Sequence, residues 1–362
     1  MAELQRVDRF LKLMNDRGAS DLHFSVGRPP MLRVSGRMEQ VRYRTVKETD
    51  LADLLKPIAP VARWQEFLDS GDTDFSYELA DVGRFRVNLF RQRRGAGAVF
   101  RIIPTKIMTL EQLGLPPQLR KLANVRRGMV IVTGPTGSGK STTLAAIIDL
   151  LNEQHTYHIL TIEDPIEFVH PNKKCLIHQR EVGTHAASFA EALRAAGRED
   201  PDVILVGELR DLDTISMALS AAERGTIVFA TLHTNNAIKT VDRIISVFPA
   251  GEQEGARNVL AESLHAVVAQ QLLPKIGGGR AAAVEIVFAN AAISNLIRRG
   301  KIGQITSIVQ GGAKQGMVDM DTAIRELYEQ GLVSARAAYD KAIDKELFKD
   351  IVDEAATGDG GV

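Results

Sequence analysis

Four short runs in the middle of the chain are almost wholly apolar: Met129-Val130-Ile131-Val132, Ile159-Leu160-Thr161-Ile162, Val203-Ile204-Leu205-Val206 and Ile227-Val228-Phe229-Ala230. Each is too short for a buried helix, and the stretches between them carry apolar residues at helical spacing. Continuous apolar runs alternating with helices predict parallel strands buried on both faces. A doubly wound α/β domain is therefore expected from residue 128 to about 250. From there to about Phe348 the pattern reads as mostly helical. The Gly- and Asp-rich end, Ala355 to Val362, reads as frayed.

Upstream the periodicity is different. Val7, Phe10, Leu11 and Met14 share one face of a helix that ends near Arg17-Gly18, where glycine supplies a C-cap. Strand and turn sequence follows, Asp21 to Val26, Gly27-Arg28-Pro29-Pro30, and Met31 to Val34, then a helix within Leu51 to Leu68. Two more strands are expected at Thr73 to Glu78 and Arg84 to Leu89. In the latter, Phe85, Val87 and Leu89 fall on one face and Arg84, Arg86 and Asn88 on the other. Residues 1–104 thus form an α+β domain. Residues 105–127, which follow Pro104 and contain Gly114, Pro116 and Pro117, are a linker, and 128–362 form the second domain.

Composition narrows the function. The 362 residues, 44% hydrophobic and 25% charged, are those of a globular protein. The 45 Lys+Arg against 45 Asp+Glu cancel, so net charge does not steer the molecule to nucleic acid or a membrane surface. Cys175 is the only cysteine, which excludes an intrachain disulfide and a four-cysteine zinc site. Cys175 reads as an ordinary buried thiol. No apolar run approaches the ~18 to 20 residues of a membrane span, and Met1 to Arg6 lead into an amphipathic pattern instead of a signal-peptide core. A cytoplasmic protein without direct membrane insertion is expected.

The chemistry begins at Gly134-Pro135-Thr136-Gly137-Ser138-Gly139-Lys140-Ser141, which fits G-x-x-x-x-G-K-[ST] and lies between a strand and a helix beginning near Ser141. The glycines let backbone N–H groups turn toward phosphate oxygens, Lys140 adds charge at the β/γ-phosphates, and Ser141 offers a hydroxyl to Mg²⁺. The chain is expected to bind ATP or GTP. Carboxylates for the metal and the attacking water belong at the carboxyl ends of parallel strands. Glu208 follows the run ending at Val206 and is assigned to Mg²⁺, partly through water. Glu163 is the candidate for polarising water, with Asp164 and Glu167 behind it. His233, just past the fourth run, would lie beside the γ-phosphate and report its presence.

With these residues in place, the sequence resembles the type IV pilus retraction ATPases, the PilT-like branch of the secretion-ATPase superfamily. The likeness runs from Ser20-Asp21-Leu22-His23 to about Gly331. It is densest in Gly134 to Leu144, Thr161 to Phe168 (the family's Asp box), Arg198 to Asp202, Gly207 to Asp211 (its Walker B) and Thr231 to Thr234 (its His box). The resemblance implies a PAS-like α+β amino-terminal domain and a RecA-like P-loop ATPase domain with a helical carboxyl-terminal extension. It implies a homo-hexamer with ATP and Mg²⁺ between the two domains. It further implies hydrolysis that drives pilus retraction and twitching motility, and peripheral association with the inner membrane through a pilus platform protein. A related pilus ATPase is a further implied partner. On the same analogy Thr142 joins the nucleotide cradle, and Arg84, Arg86, Arg91, Arg194 and Arg198 reach the phosphates, the last two sharing a helix face by their four-residue spacing.

Three positions depart from the family pattern. Thr226 replaces a histidine in Glu223-Arg224-Gly225-Thr226, Ser294 replaces arginine in Ala292-Ile293-Ser294, and Gly197 replaces leucine inside a predicted helix, where glycine costs up to ~1 kcal/mol relative to alanine. Assembly and type II secretion relatives usually carry a four-cysteine module and a longer amino-terminal extension, both missing here, which favours retraction. The competing functions are an accessory pilus or secretion ATPase, a nucleotide-gated scaffold with little turnover, and a RecA-like nucleic-acid motor. The balanced charge and the lack of a basic stretch interleaved with aromatics count against the last.

Overall fold

The computed structural model describes residues 6–34, 36–103 and 106–352, so the Ala355 to Val362 tail and Pro104-Thr105 lie outside the described residues. The chain divides into two compact units, Met1–Lys106 with Pro165–Val169, and Ile107–Asp164 with His170–Val362.

In the first unit, β1 (Asp21–Ser25), β2 (Met31–Val34), β3 (Arg37–Gln40), β4 (Asp72–Leu79), β5 (Gly83–Gln92) and β6 (Gly95–Ile103) form one antiparallel sheet in the order β3-β2-β1-β6-β5-β4. The alternation of β5 buries Phe85, Val87 and Leu89 at 1% exposure or less, against Phe24 and Phe100. The helix Asp8–Asp16 covers this core through Leu11 and Met14. The stretch expected to hold one helix holds two, Glu48–Leu55 and Val61–Ser70. Pro60 caps the second, because its ring and missing N–H bar it from a helix interior. The strands β3 and β6 carry no alternating signal. All of β3 is exposed, and β6 opens with Gly95-Ala96-Gly97-Ala98. Small residues are required there, since a Cβ on Gly97 would lie 2.6 Å from the Phe90 ring.

In the second unit, β7 (Gly128–Thr133), β8 (His158–Glu163), β9 (Leu176–Glu181), β10 (Val203–Val206), β11 (Ile227–Leu232), β12 (Leu264–Pro274) and β13 (Arg280–Phe288) form a sheet ordered β13-β12-β7-β11-β10-β8-β9. Every neighbouring pair is parallel except β12 with β13. Both faces are covered. Met129, Ile131, Ile162, Val206 and Ala230 point into one core, and Val130, Val132, Leu205 and Phe229 into the other. Two-sided burial is why the runs are continuous and not alternating. The region beyond residue 250 is largely helical, but β12 and β13 extend the sheet past β7. Cys175 is buried at 3%, its thiol bonded to the His155 carbonyl at 3.1 Å, and burial pushes its pKa up.

Candidate active site

The loop between β7 and the helix Lys140–Gln154 is built on glycine. Gly134, Gly137 and Gly139 have φ of 149°, 76° and 89°, a region that side chains with a Cβ rarely adopt. A Cβ on Gly134 would also lie 2.3 Å from the Gln270 carbonyl. No side chain caps the helix N-terminus, so its N–H groups face the loop. Ser138 is 3% exposed and its Oγ has no partner among the described residues. A buried hydroxyl left in this way is costly unless something fills the loop, and a phosphate oxygen meets the requirement. Pro135, Thr136 and Gly137 form the exposed rim, and Ser141 and Thr142 stand half-buried at the helix start.

Lys140 is 8% exposed, and its Nζ donates to the carbonyls of Gly134 at 2.9 Å and Pro135 at 3.1 Å. The same ammonium lies 3.4 Å from His233 Nδ1. An ammonium has no acceptor, so Nδ1 must accept and the ring proton sits on Nε2, which donates to Glu208 Oε1 at 3.1 Å. Glu208 Oε2 accepts from Arg210 Nε at 2.7 Å, and Arg210 also pairs with Asp164 at 3.8 Å. The loop residues of three adjacent strands, β7, β11 and β10, are thereby joined through a neutral imidazole set between a cation and a carboxylate. The His233 turn is held in place by Thr234, whose N–H donates to Thr133 Oγ1 at 2.9 Å, and by the Thr231 hydroxyl, which donates to the Gly207 carbonyl.

Glu163 ends β8, one strand beyond β10. Its Oε1 accepts from Thr161 Oγ1 at 2.6 Å and from Gln179 Nε2 at 3.2 Å. Gln179, on β9, also accepts from the His170 N–H at 2.8 Å. Glu167 lies in Pro165–Val169, the short segment that belongs to the first unit.

The arginines are placed differently from one another. The helix Phe189–Ala196 ends before Gly197, its C-cap, as Asp200 turns to φ 52° ahead of Pro201. Gly197 is therefore not inside a helix, its expected cost does not apply, and Arg194 and Arg198 do not share a helix face. Both are exposed and form no ion pair among the described residues. In the first unit, Arg86 pairs with Asp74 at 3.4 Å, whereas Arg91 lies over the Phe67 ring at 5.5 Å and donates to the Leu68 carbonyl. Arg84 is half-buried on the same strand. Thr226 precedes β11, a strand length of about 20 Å from His233.

Gln270, on β12, was not among the residues singled out from the sequence. It is 3% exposed, its Oε1 accepts from Thr143 Oγ1 at 2.8 Å, and its Nε2 donates to the Ser138 carbonyl at 2.8 Å. The available signal was a glutamine pair inside the apolar run of β12. A cavity of ≈ 290 Å³ adjoins it, lined by Leu113, Leu115, Gly139, Thr142, Gln270 and Arg280 among others. Among the described residues no group of three or more His, Cys, Asp or Glu could hold a metal by itself, so a cation here would need phosphate oxygens to complete its shell.

The profile of the family described as Type II/IV secretion system protein matches residues 5–337. The type IV pilus retraction ATPase PilT of Pseudomonas aeruginosa is 51% identical over 342 residues, 94% of this chain and 99% of that protein. The chain is a PilT-like member of that family. The twitching motility protein of Neisseria gonorrhoeae is 52% identical over 318 residues, 88% of this chain and 85% of that one. The crystal structure of the pilus retraction motor PilT with bound ADP is 44% identical and superposes with a TM-score of 0.88, covering 95% of this chain and 98% of the other. This PilT-like chain thus shares with its relatives nearly their full lengths.

Proposed function

We propose that this chain is a Mg²⁺-dependent ATPase that works as a homo-hexameric motor for type IV pilus retraction and twitching motility. The observation that carries the reading is the bonded series Lys140, His233 and Glu208 at the mouth of the glycine loop, in a chain close to retraction ATPases along nearly its whole length. ATP is the substrate. The loop N–H groups, Ser138 and Lys140 bind its phosphates. The cavity beside Gly139 takes the base, with Leu113 and Leu115 as apolar walls. A Mg²⁺ ion held by Ser141 and, partly through water, by Glu208 would neutralise charge on the phosphates. Glu163, oriented by Thr161 and Gln179, aligns the attacking water and accepts its proton. Arg194 and Arg198, and Arg84, Arg86 and Arg91 from the first unit, are the candidates to offset charge developing on the phosphates.

His233 is the reporter. Phosphate drawing Lys140 away would leave its Nδ1 free to bond elsewhere, and Glu208 would feel the change through Nε2. No described helix is long and apolar enough to cross a membrane, in keeping with a cytoplasmic motor that meets the inner membrane through a platform protein. A related pilus ATPase is a second expected partner. The decisive experiment is a pilus-retraction assay in a strain deleted for this gene and complemented with wild type or Glu163→Gln. Loss of retraction rescued only by wild type is expected. Normal retraction in the deleted strain would overturn the reading in favour of an accessory or scaffold role.

A further inference from the structure

Among the carboxylates buried outside the phosphate site, Glu285 lies where two helices begin. Glu285, on β13, is 8% exposed, and its Oε1 accepts from the Ala237 N–H at 2.6 Å. The N–H of Met320 bonds the same carboxylate. Ala237 is the first residue of the helix Ala237–Ser246, and Met320 the first of the helix Met320–Glu329. Two helix N-termini, each carrying partial positive charge, converge on one side chain. The first of these helices starts four residues after His233. It is also tied back to the His233 turn, because Thr240 Oγ1 lies 2.6 Å from Thr234 Oγ1, which in turn lies 2.7 Å from Thr133 Oγ1 at the end of β7.

We propose that Glu285 is a positioning residue for the nucleotide site: by holding the start of the helix Ala237–Ser246 it sets the His233 turn, and it makes that setting depend on pH. The proposal rests on the reading of His233 as the phosphate reporter. Burial pushes the Glu285 pKa up to about 7; the N–H groups of Ala237 and Met320 pull it down, and the carboxylates of Asp319 and Asp321 raise it. Among the described residues, these two aspartates are the charged groups that line the cavity beside it. That cavity is ≈ 120 Å³, and there the helix start at Asn236 and the helix Ile305–Gly311 present uncharged side chains. Ionisation strengthens each N–H bond but places a charge in a dry site facing two aspartates, and the raised pKa means that the second effect outweighs the first. By linkage the seated carboxyl is favoured in its protonated form, so its hold on the helix loosens as pH rises through neutrality.

The test is ATP turnover of the purified full chain from pH 6 to 8, for wild type and Glu285→Gln, with Asp321→Asn and His233→Ala alongside. Gln has the shape of Glu and keeps one acceptor, so a purely structural role would leave the pH profile in place. Wild-type kcat is expected to fall between pH 6 and 8 relative to that of Glu285→Gln, by up to about tenfold, the linkage of a carboxyl that titrates at about 7 in its seat and at 4.5 when released. Asp321→Asn, which keeps Glu285 and removes a neighbouring charge, should move the inflection to lower pH. Parallel profiles for wild type and Glu285→Gln, or an unmoved inflection in Asp321→Asn, would overturn the role of Glu285 while leaving that of His233 standing. Full turnover in His233→Ala would instead remove the reading on which the proposal rests.

Discussion

Replacing Gln270 with leucine shortens the side chain by one atom and removes both of its hydrogen bonds. The Ser138 carbonyl then loses its partner inside a closed layer, at about 1 to 3 kcal/mol for a buried unpaired group. The Thr143 hydroxyl can turn back to the Gly139 carbonyl, so its loss is discounted. Shape adds to this. Leucine branches one atom nearer the backbone than glutamine, so it leaves a gap where Nε2 stood, and the phosphate loop can relax into it by about half an ångström. Since a misplacement of about 1 Å costs on the order of 100-fold, kcat/KM for ATP is expected to fall by roughly 10- to 30-fold, with KM rising. Stability should fall by about 2 kcal/mol. Steady-state ATPase kinetics, nucleotide titration and thermal denaturation read the three effects separately. A Gln270→Leu protein with kcat/KM within about twofold of wild type would refute the claim that β12 sets the loop.

The remaining expectations concern the charges. Lys140→Ala removes the ammonium that donates to the loop carbonyls and should weaken ATP binding about 100-fold or more in equilibrium titration. Glu163→Gln should bind nucleotide normally and turn over at least about 100-fold more slowly; undiminished turnover would take Glu163 out of the base role. Chelation of divalent cations should abolish turnover, and added Mg²⁺ should restore it. His170 is 8% exposed, its Nδ1 has no partner among the described residues, and burial pushes its pKa down to about 4. The unfolded chain therefore binds the proton first as pH falls: stability is full above about 6.5 and declines toward pH 4, by about 3 kcal/mol in total. His170→Phe should flatten that decline in thermal denaturation across pH 4 to 7, and an unchanged slope would refute the assignment.

Much of the second unit was legible because its signals are local. A strand buried on both faces must be apolar at every position, and a loop that turns its N–H groups inward must be glycine at positive φ. Both rules act within a few residues, so β7, β8, β10, β11 and the phosphate loop could be read directly. The weaker signals failed for physical reasons. β6 is built of small residues to clear the Phe90 ring, β12 and β13 are long runs whose periodicity does not separate strand from helix, and the spacing of Arg194 and Arg198 ignored the turn before Pro201.

The chain by itself determined which residues could carry the chemistry: Lys140, Ser141, Glu163, Glu208 and His233 each stand at the end of an apolar run, where a parallel sheet exposes its loops. It did not determine who meets whom. The sheet order β7-β11-β10-β8 differs from the order along the chain, and that order sets His233 next to the phosphate loop and joins it to Glu208. Gln270 and Glu285 are ordinary polar residues in sequence. They acquire roles because β12 pairs with β7, and because two distant helices begin at the same carboxylate. Those pairings depend on contacts between segments up to more than a hundred residues apart, which no local pattern encodes.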